Sequence, residues 1–179
     1  MTRTFAFSGS MQTERLDMHL PQITDLPVFL AFNEVSDLTV GTYQRGRSKQ
    51  DVEARLQRDI NQWSEKGFGK FVLRRKGEDT VIGGAGLSFP PDWPSHELTW
   101  WLMPDARGQG FATEASHAVI DWAYDDLGWD TVETHMRDEN APAHRMAQRL
   151  GGTVTRRETF PDGVTRDVYA IPRRTSGAA

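Results

Sequence analysis

The run from Leu98 to Thr113, Leu-Thr-Trp-Trp-Leu-Met-Pro-Asp-Ala-Arg-Gly-Gln-Gly-Phe-Ala-Thr, constrains this chain more than any other segment. An apolar strand breaks at Pro104, passes through a basic, glycine-punctuated turn and opens a helix. A strand that delivers Gly108 and Gly110 to a helix start presents several amide N–H groups without intrahelical partners, and the helix dipole adds partial positive charge there. Such a junction suits a phosphate or pyrophosphate, and taken alone it also suits an ordinary strand-to-helix connection. Two familiar phosphate loops do not fit. The pattern G-x-x-x-x-G-K-[ST] is absent, and Gly108-Gln109-Gly110-Phe111-Ala112-Thr113 lacks the third glycine of the dinucleotide fingerprint.

At 179 residues the chain reads as one domain able to bury a sizeable core, and 37% hydrophobic residues with six Trp and nine Phe argue against disorder. Cysteine is absent, which excludes disulfide frameworks, thiolate metal sites and a cysteine nucleophile. No apolar run reaches the roughly 18 residues of a membrane span, and Met1 to Met11 lacks a secretory apolar region, so the expected compartment is the cytoplasm. A net charge of −4 weighs against nucleic acid as partner, although a local patch such as Arg145, Arg149, Arg156 and Arg157 would not show in that sum.

Periodicity and Gly/Pro punctuation predict a strand at 15–20, then a helix from Asp25 to about Asn33 capped by Thr24, with Pro27 tolerated in its first turn. A second helix starts at the Ser48/Asp51 capping spacing, carries Val52, Leu56, Ile60 and Trp63 at helical intervals and ends near Gly67. Strands follow at about 68–75, 80–87 and 97–103, the glycines at 83, 84 and 86 marking a bulge or a close backbone approach. A third helix bears Ala112, Ala115, Val119 and Trp122, and a strand spans Trp129 to Met136. A helix with Ala143, Met146, Ala147 and Leu150 stops at Gly151-Gly152, and strands at about 153–160 and 164–171 flank Pro161-Asp162-Gly163. The organisation expected is a flexible N-terminal segment at 1–12, one α+β domain at 13–171 and a flexible tail at 172–179.

The pattern R-x-x-G-x-A, carried by Arg107, Gly110 and Ala112, resembles the acyl-CoA pyrophosphate loop of the GNAT superfamily of N-acetyltransferases. Gly110-Phe111-Ala112-Thr113-Glu114-Ala115 looks like the form used by its ribosomal-protein N-acetyltransferase branch. Thr13-Glu14-Arg15-Leu16 resembles that branch's opening strand, Glu97 to Leu102 the strand entering the loop, and Asn140 to Gly151 the Asn-x-x-Ser helix ending in Leu-Gly. The resemblance covers most of the chain. It implies a mixed, mostly antiparallel seven-strand sheet with helices on both faces and a splayed central parallel pair, where the pantetheine of acetyl-CoA lies. Backbone groups of Trp101, Leu102 and Met103 would then pair with the pantetheine amides as an added strand does. Amides of Gly108, Gln109, Gly110, Phe111, Ala112 and Thr113 would receive the pyrophosphate, with Arg107 nearby and Asn140 touching the cofactor as well as capping its helix.

The implied chemistry is attack of an amine on a thioester. A lysine-like amine with pKa near 10.4 is neutral on the order of 0.1% of the time at pH 7.4, a cost of about 4 kcal/mol, whereas an α-amine with pKa near 8 loses less than about 1 kcal/mol. Glu97 is the candidate base, on one strand face with Thr99 and Trp101, and His96 is the neighbouring alternative. Trp93, in Pro90-Pro91-Asp92-Trp93-Pro94, either walls an acceptor pocket or anchors its loop to the core. The serine of Asn-x-x-Ser is Ala143, and Ala147 stands where many members carry a tyrosine acid, so no general acid is assigned. Glu114 receives no catalytic part. The five histidines show no metal-ligand spacing, and no G-x-S-x-G elbow exists. Two functions fit: acetyl transfer from acetyl-CoA to a primary amine, or a non-catalytic acyl-CoA-binding or sensor role on the same scaffold. A homodimer is compatible with the sequence, which does not specify the assembly.

Overall fold

A computed structural model describes residues 9–36 and 46–175. Eight strands and four helices follow in the order β1 (Ser10–Gln12), β2 (Leu16–His19), α1 (Leu26–Val35), α2 (Lys49–Lys66), β3 (Lys70–Arg75), β4 (Val81–Ser88), β5 (Glu97–Leu102), α3 (Phe111–Asp125), β6 (Val132–Met136), α4 (Ala141–Arg149), β7 (Thr153–Thr159) and β8 (Thr165–Ile171). The single seven-strand sheet expected is instead two antiparallel sheets, one of five strands ordered β1-β2-β3-β4-β5 and one of three ordered β6-β8-β7. The added strand is β1, three residues paired with β2 through Met11 opposite Met18 and too short to carry an alternating pattern. It lies within the segment expected to be flexible, of which residues 1–8 fall outside the described ones. Of the expected tail, 176–179 fall outside, and Arg173 and Arg174 are ion-paired to Asp125 at 2.5 Å and Asp121 at 2.9 Å.

Local chemistry sets the helix ends. Ser48 Oγ accepts from Asp51 N at 3.1 Å while Asp51 accepts from Ser48 N at 3.3 Å, the reciprocal capping box read from the sequence, and α2 ends at the left-handed Gly67. At α1 the cap is Asp25, not Thr24, because a 3-10 turn over Ile23–Asp25 leads into the helix. The buried Asp25 carboxylate accepts from Gln22 N at 2.8 Å and from Arg74 Nη2 at 3.2 Å, which ties the turn to β3.

The five-stranded sheet is covered on both faces. Leu98 joins Leu16, Leu73, Leu87, Ala115, Val119 and Met146 in the core under α3 and α4. Trp101 turns to the other face and packs with Phe29, Phe32, Val52, Leu56 and Val72 under α1 and α2, its ring centroid 4.5 Å from that of Phe32. Gly84 of β4 makes room for it, since a Cβ there would collide with the indole nitrogen of Trp101. The β4 glycines therefore mark close approach, and the ladder to β3 also shifts register beside Gly83, where Ile82 is left over as in a bulge.

No backbone ladder joins β5 to β6. They meet through side chains: Thr134 Oγ1 donates to Leu98 O at 2.8 Å, Ser95 Oγ to Glu133 Oε2 at 3.0 Å, and His135 Nε2 lies 3.3 Å from Glu97 Oε2. The two sheets thus touch at the start of β5 and leave its far end, toward Leu102, without a strand partner on that side.

Candidate functional site

The turn after β5 is built for close approach to its backbone. Gly110 caps α3 with φ +81°, a left-handed conformation that a β-branched residue cannot adopt without strain, and Gly108 has φ +73° with open space where a Cβ would point. The first intrahelical bond of α3 runs from Glu114 N to Gly110 O at 3.0 Å, leaving the amides of Phe111, Ala112 and Thr113 with no carbonyl a turn earlier in the helix. Thr113 Oγ1 meets Met146 Sδ at 3.3 Å, which fixes this helix start against α4.

A lattice of side chains behind the turn holds it in shape. Glu114, given no catalytic part from the sequence, is its hub. It accepts from Thr13 Oγ1 at 2.5 Å, Arg15 N at 2.8 Å and Arg15 Nε at 2.7 Å, while Arg15 Nη1 donates to Gln109 O at 3.0 Å. Arg15 also lies 4.6 Å over the Phe111 ring, and Arg75 lies 5.4 Å from it. Burial works against ionisation of Glu114, but the bonds from Thr13 and Arg15 and the Arg15 charge outweigh it and hold the carboxyl below its ordinary value. The Thr-Glu-Arg-Leu segment is thus the buttress of the glycine turn, and the spacing of about one hundred residues hid it from sequence reasoning.

The strand entering the turn differs from expectation in phase. Along β5, Leu98 O faces β6 and Leu102 O accepts from Arg107 Nε at 3.0 Å, whereas Met103 N donates to Ile82 O of β4 at 2.9 Å. Backbone groups alternate sides along a strand, so Trp101 and Met103 turn theirs to β4, and Trp100 and Leu102 turn theirs to the open side. Trp101 and Met103 therefore cannot offer an added-strand pairing; Leu102 can. Arg107 is exposed and bends back onto that carbonyl. Asn140 caps α4, its Oδ1 accepting from Ala143 N at 3.3 Å.

At the other end of β5, Glu97 pairs across the sheet with Ser88 on the Trp101 face. Ser88 lines a cavity of about 870 Å³ between α2 and the 90–93 loop, bounded also by Arg55, Arg58, Gln62, Phe89 and Trp93. Gln62 fixes the cavity floor by donating to Phe68 O and Leu87 O and accepting from Phe89 N. Trp93 both lines this cavity and anchors its loop, stacking on His135 at 5.3 Å between centroids with 10° between planes. His96 is turned elsewhere, its ring on Trp129 at 3.6 Å and its Nε2 3.4 Å from Thr131 O. Position 147 has no space for a tyrosine, because Ala147 is fully buried in the core. His144 uses both ring nitrogens, on Tyr169 Oη at 2.9 Å and Arg137 O at 3.2 Å, so it anchors α4. Arg156 and Arg157 are consumed in ion pairs with Glu133, Glu158, Asp138 and Asp167. Among the described residues, no helix is long and apolar enough to cross a membrane and no group of three His, Asp or Glu is arranged to hold a metal.

Residues 15–153 match the acetyltransferase (GNAT) domain family. An uncharacterized N-acetyltransferase of Bacillus licheniformis, p20, is 28% identical over 145 residues, 79% of this chain and 80% of that protein. A second, YnaD of Bacillus subtilis strain 168, is 25% identical over 91 residues, 51% of this chain, and the chain spans about half of it, 52%. The acetyltransferase of Agrobacterium tumefaciens strain C58 has the same fold, with a TM-score of 0.82 at 25% identity over 95% of this chain and 98% of that one. So has the Salmonella typhimurium acetyltransferase that modifies the N-terminal serine of ribosomal protein L7/L12, with a TM-score of 0.72 at 14% identity over 88% of this chain and 95% of that one. The family match takes in the Arg15 buttress, the β5 strand, the glycine turn and the α4 helix, and the chain belongs to the GNAT acetyltransferase family.

Proposed function

We propose that the protein transfers an acetyl group from acetyl-CoA to a primary amine by direct attack in a ternary complex. The observation that carries this reading is the edge of β5, which begins at Glu97 beside β6, opens beyond Leu98 and leads to a helix start whose first amides have no intrahelical carbonyl. The contacts Ser95 to Glu133 and Glu97 to His135 advance in the same direction on β5 and β6, which supports a parallel pair that parts beyond Leu98. At about 3.3 Å per residue, Glu97 and Leu102 stand about 17 Å apart, a separation for an extended arm to bridge. In this reading Leu102, with Trp100 beside it, pairs with the pantetheine amides. The amides of Gly108, Gln109, Gly110, Phe111, Ala112 and Thr113 hold the pyrophosphate. Arg107 swings from Leu102 O to the phosphates, and Asn140 keeps its cap while contacting the cofactor.

Acetyl-CoA supplies the electrophile, a thioester carbonyl. Glu97 takes a proton from the ammonium or attacking amine, the new C–N bond forms as the C–S bond breaks, and the thiolate leaves with an ordinary thiol pKa near 8.5, so water suffices as its proton source. With no tyrosine accommodated at 147, this departure uses no side-chain acid from α4. The acceptor approaches through the cavity beside Ser88 and Trp93, whose lining carries charges of both signs, and the classes that fit are a protein N-terminus, a polyamine or an aminoglycoside-like amine. No metal takes part, the expected compartment is the cytoplasm, and a homodimer is compatible with the fold.

The second reading, an acyl-CoA sensor, draws on Ala143 and Ala147. Turnover decides between them: free-thiol release from acetyl-CoA is measured over spermidine, kanamycin and peptides with N-terminal serine or alanine. Turnover with any of these excludes the sensor; tight acetyl-CoA binding without turnover on the whole panel overturns the enzyme. With an accepted lysine-like amine, Glu97→Gln should lower kcat/KM on the order of 10²-fold near pH 7, and less for an α-amine. A wild-type rate in that variant removes Glu97 as base.

A further inference from the structure

His135 is a buried titratable group that the proposed mechanism does not use. Its side chain is 7% exposed and its ring packs against Trp93 and Phe160, whose centroids lie 5.3 Å and 4.0 Å away and 5.0 Å from each other, a triangle of three rings. The Arg166 guanidinium lies 5.6 Å from the Trp93 ring and 5.0 Å from Phe160. The rings leave His135 one polar contact, Nε2 at 3.3 Å from Glu97 Oε2, while Nδ1 is buried with no hydrogen-bond partner. A buried bare lone pair costs less than a buried N–H without an acceptor, which favours the hydrogen on Nε2, the nitrogen that lies 3.3 Å from the Glu97 carboxylate in a charge contact rather than an aligned hydrogen bond.

The neighbouring charges are occupied with one another. On the strand of His135, Glu133 is held by Arg156 and Ser95. Arg137 reaches Asp162 at 3.7 Å, Arg166 binds the same carboxylate at 2.5 Å, and Arg156 also pairs with Glu158. Glu97 is the one carboxylate among the described residues that meets the His135 ring.

We propose that His135, held as the Nε2–H tautomer by its unpartnered, buried Nδ1 and packed against Trp93 and Phe160, is the positioning residue for the Glu97 base. The inference rests on the acetyltransferase reading of Glu97. The imidazole N–H closes on Glu97 Oε2 from its 3.3 Å contact when the acceptor binds and holds that oxygen, so the other is directed at the acceptor amine. Trp93, Phe160 and Arg166 act on the base through this ring. Because Trp93 and Phe160 come from the 90–93 loop and the β7–β8 turn, the two segments that pack on His135 also set the orientation of the base.

Two measurements test this. In long-range proton–nitrogen NMR of the wild-type protein, His135 should show a protonated Nε2 and a bare Nδ1, and Glu97→Gln should shift the Nε2 signal; an Nδ1–H tautomer overturns the proposal with no substrate needed. In kinetics with the amine accepted from the panel above, His135→Phe keeps the stacking and loses the donor. It should lower kcat about tenfold near pH 7 and leave the KM for acetyl-CoA unchanged. His135→Gln, which can donate an N–H, should recover most of the rate. A His135→Phe enzyme with the wild-type kcat overturns the proposal, and if that variant does not fold the tautomer measurement stands alone. Glu97→Gln separates the two readings: a full rate there removes the base itself, whereas a lost rate there beside an unaffected His135→Phe removes only the positioning.

Discussion

The two ends of β5 are built on different plans. At the Leu102 end, the chain offers mostly backbone: two left-handed glycines, a helix start and an unpaired strand edge, shaped from behind by Glu114 and Arg15. At the Glu97 end it offers side chains drawn from three separated stretches, with Trp93, His135 and Phe160 packed on one another and Glu97 beside His135. Backbone recognises what is common to a class of ligand, here an extended arm and a pyrophosphate. Side chains differ from protein to protein and carry the choice of acceptor. The difference predicts that lesions at the two ends separate cleanly, one set changing acetyl-CoA affinity and the other changing the chemical step.

The largest effect belongs to Gly110→Val. A β-branched residue at φ +81° is strained, and relief of that strain moves the α3 amides. Space is not the obstacle, since Arg15 Nη2 is the one atom near the added Cβ, at 3.4 Å, and a flexible guanidinium can yield. Acetyl-CoA affinity by calorimetry should fall at least about 100-fold, a loss of about 2.7 kcal/mol, with the protein still folded by circular dichroism. Retained affinity would break the comparison at its donor end.

The same contrast explains what the sequence could reveal. The Ser48/Asp51 cap, Gly67 and the glycine turn are legible because each is written in a few adjacent residues whose backbone conformation has one chemical cause. The Thr24 cap fails because Ile23–Asp25 forms a 3-10 turn, closed by the Asp25 bond to Gln22 N, that puts Thr24 inside the turn ahead of the helix. Alternation along β5 correctly groups Glu97 with Trp101, yet it cannot say which backbone groups face β4, and so Trp101 and Met103 were expected on the open side. His135 gives no local signal: a strand histidine is unremarkable until Trp93 and Phe160 close on it from 42 residues before and 25 after. The split into two sheets is likewise a pairing event between distant segments, and periodicity within β5 or β6 does not contain it.

A smaller effect sharpens the donor end. Arg15→Ala removes the fork that links Glu114 to Gln109 O and should raise the KM for acetyl-CoA about tenfold with little change in kcat. Arg15→Lys should rescue only in part, because one ammonium cannot reproduce the planar fork. The double variant Arg15→Ala/Glu114→Gln should lose less affinity than the two single losses combined, as expected for residues in one network. Strict additivity would show that Arg15 acts on the ligand independently of Glu114.

The smallest effect is in the pH dependence of stability, and it compares one carboxylate from each end. Glu114 and Glu133 are both held below the ordinary glutamate value of 4.5. Burial of Glu114 is outweighed by bonds from Thr13 and Arg15, and the Arg156 bond to Glu133 outweighs its burial with help from Ser95. A carboxyl with a depressed value in the folded state contributes stability that is fully present above its unfolded value and lost as the pH falls through the folded one. Glu114→Gln and Glu133→Gln should therefore each lower the Tm at pH 7, and the gap to the wild type should close as the pH is taken below about 4.5. With acetyl-CoA added in excess at pH 7, the two variants should part. Ligand stabilises a protein in proportion to its affinity, so the Tm rise should be near that of the wild type for Glu133→Gln and smaller for Glu114→Gln, whose turn has lost its hub. Equal rises in the two variants would mean that the Glu114 lattice supports the fold and not the binding of the acyl donor.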